Sequence, residues 1–399
     1  MNEPPLHDPI TRRQLLRRAA AGGAALTLPS IIAACGGGGG GTTGAAGGTT
    51  GGGKPQLKSE LNFSNWELYI DTPASLKDAG IDKPTTREQF TQKTGIKVNY
   101  YEDVNSNSEY FAKVQGPLSQ GKGIGRDIFV STDNDRFLGQ YIDQKWVQKL
   151  DKSLIPNITN LIDAQAHPPF DPNRDYSLPW FSGMDGIAWN KDATRPVTSV
   201  KQLLEDPNLK GRVGIWNSMG DTLGLIMLEN GDDPAKVDDA SFDRALMRVQ
   251  KAVDSGQIRA FYGNNYAQPL SKGDLAASMA WSGDIFLLAN PKVTWTLLDT
   301  GGIIWTDNMV IPLGGDVPTA STYMNFVYDP TIAAQLALGA GYISSVKGVP
   351  EEAAKLNPKA SENTLVFPTD DMLSNVHQND PAMLNNPDYI KAWEAVQGH

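Results

Sequence analysis

From residue 55 onward the apolar positions fall into short alternating runs separated by helical spacings. Leu61-Asn62-Phe63-Ser64 alternates apolar and polar, the period of a half-buried strand, just before Asn65-Trp66. Arg87 to Lys93 has helical character and Gly95 supplies a stop, after which 95–100 reads as strand. Ser108 to Gln115 predicts a helix with Tyr110, Phe111 and Val114 on one face. The run Asp127-Ile128-Phe129-Val130 predicts a short buried strand, 235–254 a long amphipathic helix, and 277–281 and 308–312 two further strands. Strands alternating with helices predict an α/β fold whose sheets are covered on both faces. No short internal repeat is present, and no Gly/Ser-rich linker divides 55–399. Any two lobes are therefore joined by more than one crossing of the chain.

The first fifty residues follow another pattern. Arg12, Arg13, Arg17 and Arg18 precede an uncharged run of small and apolar residues, 19–32. A basic start, a short apolar middle and small residues before a break describe a secretory signal peptide. Arg12-Arg13 with Leu15-Leu16 resembles a twin-arginine signal. Ile32-Ala33-Ala34-Cys35 resembles a bacterial lipobox, in which Cys35 is lipidated and becomes the first mature residue. Residues 1–34 are thus expected to be the signal peptide, and 35–54 the lipidated cysteine with a linker. Residues 36–53 are only Gly, Thr and Ala. Such a segment cannot offset its backbone entropy by burial, and as a flexible leash it spans roughly 23 Å. The expected location is the periplasmic or extracellular face of the cytoplasmic membrane, with the protein anchored there by lipid.

Composition narrows the function classes. The 399 residues carry 35 Lys and Arg against 45 Asp and Glu, a net charge of −10. Loss of 1–34, with four Arg against Glu3 and Asp8, takes it to −12. No run approaches the ~20 apolar residues of a membrane span. An acidic chain without basic clusters is not built for nucleic acid. One Cys leaves no disulfide framework and no cysteine zinc site, and His at 7, 167, 377 and 399 makes no histidine-rich metal site. Gly116 to Gly123 comes near a phosphate-binding loop but ends in Gly where magnesium needs Ser or Thr, and its context runs helix to strand. The nucleophile elbow, the His-Glu-x-x-His zinc motif and a Cys–His pair are all missing. Nothing in the residues asks for an enzyme, a metal or a cofactor.

Three segments join aromatics to acids in what read as loops after strands: Asn65-Trp66-Glu67-Leu68-Tyr69, Trp281-Ser282-Gly283-Asp284 and Trp305-Thr306-Asp307. A carboxylate gives a primary ammonium a charge-assisted hydrogen bond. An aromatic face adds ~0.5–2 kcal/mol of cation–π attraction, and flat rings suit the polymethylene chain between two amines.

With these motifs in order, the chain resembles the polyamine-binding receptors of bacterial ABC importers, the spermidine/putrescine group of extracellular solute-binding proteins. The likeness runs over nearly all of 60–380. Its carriers are Asn65-Trp66-x-x-Tyr69, Phe90-Thr-x-x-Thr94-Gly95-Ile96-Lys97-Val98, Asp127 to Asp133, Phe170 to Trp180, Gly302 to Asp307, Gly341-Tyr342 and His377 to Asp380. The resemblance implies a type II periplasmic-binding-protein-like α/β fold with a ligand cleft between two lobes. Lobe one would hold 55–181 plus 305–350, and lobe two 182–304 plus 351–399. Crossings are expected near 180–186 and 300–305, with 344–355 returning to the second lobe.

The resemblance also assigns a site. Trp66, Tyr69, Trp281, Trp305 and Tyr342 would form aromatic walls. Asp307 would hold one ammonium, Asp284 would meet an amine, Asp221 would take another group, Thr132 would donate its hydroxyl, and Gln378 would make a polar contact. Asn134 stands where many members carry an aromatic, and Ser218 where spermidine-type members often carry an acid. The implied role is capture of putrescine or spermidine by a monomer and delivery to an ABC permease. A receptor for a sugar or compatible solute on the same fold is the alternative, followed by a secreted enzyme. An iron receptor would want adjacent cleft tyrosines, and Tyr100-Tyr101 reads as strand.

Overall fold

The computed structural model describes residues 55–398. The signal peptide, Cys35 and the Gly/Thr/Ala segment lie outside the described residues. The strands are β1 (Glu60–Trp66), β2 (Lys97–Val104), β3 (Ile128–Thr132), β4 (Val147–Gln148), β5 (Ser177–Asn190), β6 (Val213–Trp216), β7 (Ile258–Tyr262), β8 (Ala277–Trp281), β9 (Val293–Thr296), β10 (Gly302–Pro312), β11 (Ile343–Ser344) and β12 (Val376–His377). Their central path is β2-β1-β3-β10-β5-β8-β6-β7. Pairing is parallel at the two ends of this path and antiparallel around β10 and β5.

The side-chain period of two explains the layers. Ile128 and Val130 enter a core with Leu61, Phe63, Phe90 and Tyr323. Phe129, between them, enters another with Tyr110, Tyr141 and Val310. A strand buried on both faces reads as an unbroken apolar run, and this one does. Beyond β5 a separate core gathers Ile187, Ile215, Met279, Leu223 and Phe242. Two α/β lobes thus have their own cores.

The first half of β5 pairs with β10 up to Met184, and from Asp185 onward it pairs with β8. The strand therefore crosses between lobes without a break. β10 crosses back: Ile303 packs in the second core and Trp305 in the first.

Three expectations are corrected. The strand expected at 308–312 begins at Gly302, because its first half pairs with both β5 and β12. The helix expected from residue 235 begins at Asp239, where the Asp238 carboxylate accepts from Ser241 N at 2.8 Å and fixes the start. The return to the second lobe comes after Phe367, not within 344–355. Helix Val349–Leu356 buries Val349 and Ala353, four apart on one face, and Val366 follows them into the first core. Met383, Leu384, Trp393 and Val396 then close the second.

Candidate functional site

Trp305 and Asp307 were expected in a loop, and both lie within β10. Two residues apart on a strand, they project from the same face. A register shift in the β5–β10 pairing falls beside Asp307, the kind of irregularity that re-aims a side chain. The Asp307 carboxylate is 4% exposed. It accepts the Tyr69 hydroxyl at 2.7 Å and the Thr132 hydroxyl at 2.5 Å. Thr132 in turn accepts Asn107 Nδ2 at 2.9 Å. Tyr69 reaches this position through a turn in which Leu68 adopts φ 58°, a left-handed conformation unusual for leucine. That turn lets Trp66 and Tyr69 both line the cleft.

Two glycines make room for the rings. A Cβ on Gly183 would stand 2.3 Å from the Trp305 indole, so the ring lies flat over β5. Two residues on, Asp185 accepts Trp305 Nε1 at 3.0 Å. A Cβ on Gly283 would stand 2.3 Å from the Tyr342 ring. The next residue, Asp284, accepts the Tyr342 hydroxyl at 2.6 Å through Oδ1, while its Oδ2 is buried without a partner. Tyr69 meets Tyr342 edge-on at 4.5 Å, and Trp281 stacks on Trp216 at 5.1 Å and meets Trp305 edge-on at 6.5 Å. The aromatic walls are thus held rigidly before any ligand contact.

Polar groups also bridge the lobes. Asn134, after β3, donates Nδ2 to Asp221 Oδ1 and accepts Asn379 Nδ2 at 2.6 Å. Asp221 lies in the first turn of helix Met219–Asn230, capped by Ser218, whose hydroxyl accepts Asp221 N at 3.4 Å. The cavity between the lobes is about 780 Å³, open to solvent on part of its boundary, and is lined by Trp66, Tyr69, Thr132, Asp221, Trp281, Trp305, Asp307 and Tyr342, among others. Asp284 sits behind Tyr342. Gln378 is exposed and lines no part of the cavity. Its neighbour Asn379 is the buried one, because successive residues of an extended segment point to opposite sides.

The electrostatics are one-sided. Burial pushes Asp307 and Asp284 each up to about 6, against the hydrogen bonds that lower them. Burial likewise raises Asp221 to about 6 and Asp185 well above the carboxylate range. Enclosure also raises Asp133 and Asp135. Asp307 and Asp284 are held by hydroxyls, and among the described residues no Lys or Arg forms an ion pair with either. Arg136, on the cavity lining, stacks over Phe137 at 4.9 Å. The described residues contain no group of three His, Cys, Asp or Glu arranged to hold a metal.

The sequence matches the bacterial extracellular solute-binding protein family over residues 85–367. The chain belongs to that family. The spermidine/putrescine-binding periplasmic protein of Escherichia coli is 29% identical over 324 residues, covering 79% of this chain and 85% of that protein. The putrescine-binding periplasmic protein SpuD of Pseudomonas aeruginosa is 26% identical over 348 residues, covering 79% and 86%. Among solved structures, a lipoprotein of Treponema pallidum superposes with a TM-score of 0.69 at 21% identity, covering 85% of this chain and all of that one. The last likeness shows the shared two-lobe fold. Family members of this kind bind solutes, and the chain's fold and cleft are those of a receptor.

Sequence reasoning missed Asp185, Asn134 as a donor, and Asn379. Asp185 follows Gly183 by two residues where Asp284 follows Gly283 directly, so the two acids share no sequence pattern, and only the pairing of β10 with β5 brings Asp185 to the Trp305 indole. For Asn134 and Asn379 no local signal existed, since their partners are 87 and 245 residues distant from Asn134.

Proposed function

We propose that this protein captures a polyamine, putrescine or spermidine, between its lobes and presents it to an ABC-type permease. The observation that carries the reading is the buried Asp307 carboxylate on the cavity wall, with the half-buried Asp284 behind Tyr342, both bonded by hydroxyls beside aromatic walls and neither with a basic partner. A buried carboxylate is costly unless a cation meets it. A diammonium supplies two cations and an apolar chain for the rings. A neutral sugar leaves the charges uncompensated, which gives selectivity. The polyamine-binding names of its relatives support the same ligand class. The ligand contacts both lobes only when they close, so binding shifts the hinge equilibrium toward the closed form. No chemical change of the ligand is part of this reading.

The test is calorimetric titration of the purified protein with putrescine, spermidine and a neutral sugar. Micromolar or tighter binding of an amine, with no heat from the sugar, is the expected result. Binding of the sugar alone would replace the amine reading with the sugar-receptor reading. We further propose export as a monomer and anchoring through a lipid on Cys35, on the strength of the Ile32-Ala33-Ala34-Cys35 motif. Cys35→Ala is expected to move the protein from the membrane to the soluble fraction, and a variant that still pellets with membranes would refute the anchor. No described helix is long and apolar enough to cross a membrane.

A further inference from the structure

Asn134 belongs to the first lobe by position, yet both ends of its amide are held by the second. Nδ2 donates to Asp221 Oδ1, and Oδ1 accepts Asn379 Nδ2 at 2.6 Å. The side chain is 8% exposed. The fold makes a slot for this contact. Gly220 and Gly224 are four apart on helix Met219–Asn230, so they share a face. A Cβ on Gly220 would stand 2.9 Å from Asn379 Nδ2 and 3.1 Å from the Asn134 carbonyl oxygen. A Cβ on Gly224 would stand 2.7 Å from Asn379 Oδ1. A side chain at either glycine would collide with the Asn379 amide that supports Asn134.

A carboxamide NH₂ resembles an ammonium in donating hydrogen bonds and differs in carrying no charge. Asp221 is therefore partnered from within the protein, by a neutral donor. Asp284 and Asp307 have no such donor; their partners are hydroxyls that can also accept from an ammonium.

We propose that Asn134 is a specificity-determining latch. Its amide holds Asp221 across the cleft in the place an ammonium would take. The cleft then offers a diamine Asp307 on its wall and, behind the Tyr342 hydroxyl, Asp284, and it disfavours a triamine whose further amine must displace the amide. A charge-assisted bond is about twice as strong as a neutral one, so displacement is a competition that sets a ratio, not a bar. The choice of ligands rests on the amine reading above; the latch does not.

Two measurements separate the parts. Small-angle X-ray scattering of the purified protein without ligand is expected to give a larger radius of gyration for Asn134→Ala than for wild type. Asn379→Ala, which removes the support of the amide, is expected to move the same way by less. Equal radii for all three proteins would overturn the latch. By calorimetry, the ratio of spermidine to putrescine affinity is expected to rise about tenfold in Asn134→Ala, the worth of one modest hydrogen-bond competition. An unchanged ratio would overturn the selectivity role. Should wild type bind neither amine, the amine reading fails and takes the selectivity with it, and the scattering result still decides the latch. Thermal melts of each variant verify that it is folded.

Discussion

Buried aspartates in this protein do two different jobs, and their partners tell them apart. Asp71 is fully buried and accepts Thr86 N, the Thr86 hydroxyl and Gln335 Nε2. Asp171 accepts three backbone amides and the Ser177 hydroxyl. Both are saturated by fixed donors and tie loops to the sheet. Asp307 has two hydroxyls, and Asp284 leaves one oxygen bare. Such groups are ready for a cation. Asp307→Ala is expected to weaken amine binding by about 2–5 kcal/mol, the typical loss when one member of a desolvated charge pair is removed. Calorimetry checks it, and an affinity within tenfold of wild type would show that Asp307 does not hold the ammonium. The aromatic–acid motifs were legible in the sequence because they are local. The hydroxyl partners were only partly so: Tyr69 and Thr132 came from the resemblance, and their convergence on one carboxylate spans 238 and 175 residues.

β5 and β10 place the site because both are long enough to serve two lobes. Their pairing carries Trp305 opposite Gly183, and the missing side chain at Gly183 is what allows the indole to lie there. Gly183→Ala therefore drives a methyl into the ring. It is expected to cost about 1–3 kcal/mol of stability by overpacking and to break the Trp305–Asp185 bond. A lower melting temperature together with altered tryptophan fluorescence measures both; an unchanged melt and spectrum would mean the ring has another place to lie. The helix starting at Thr86 and the strand starting at Lys97 were legible because Gly95 ends the helix with φ 76°, a signal carried by one residue. The first half of β10 was not legible. Gly302 to Asp307 runs three consecutive apolar residues, Ile303-Ile304-Trp305, into two polar ones, so no alternating strand period shows.

The two lobes meet through acidic and aromatic groups, and the raised carboxylates among them make the stability of the folded protein depend on pH. Asp284 and Asp307 hold a proton more tightly folded than unfolded, about 6 against 3.8. Between those values the folded state binds more protons, so these two groups make the protein less stable as pH rises toward 6, and the penalty is fully present above 6. A bound diammonium removes that penalty and needs both carboxylates ionised. The rise in melting temperature on adding putrescine is therefore expected to be small at pH 4.5 and to grow through pH 6 to a plateau near neutrality. Melts with and without putrescine across that range test this, and a shift independent of pH would remove Asp284 and Asp307 from the amine site.

The sequence alone determined what depends on neighbours along the chain: alternating strands and helices, glycine stops, the acidic balance, and the aromatic–acid pairs of an α/β receptor. Tertiary structure decided what depends on distant parts meeting. It sent 351–367 back to the first lobe, because Val349, Ala353 and Val366 had apolar surface to bury there. It turned Gln378 outward and Asn379 inward. It joined Asn134 to Asp221. Periodicity reports which face of an element is apolar, and only packing reports what that face will meet.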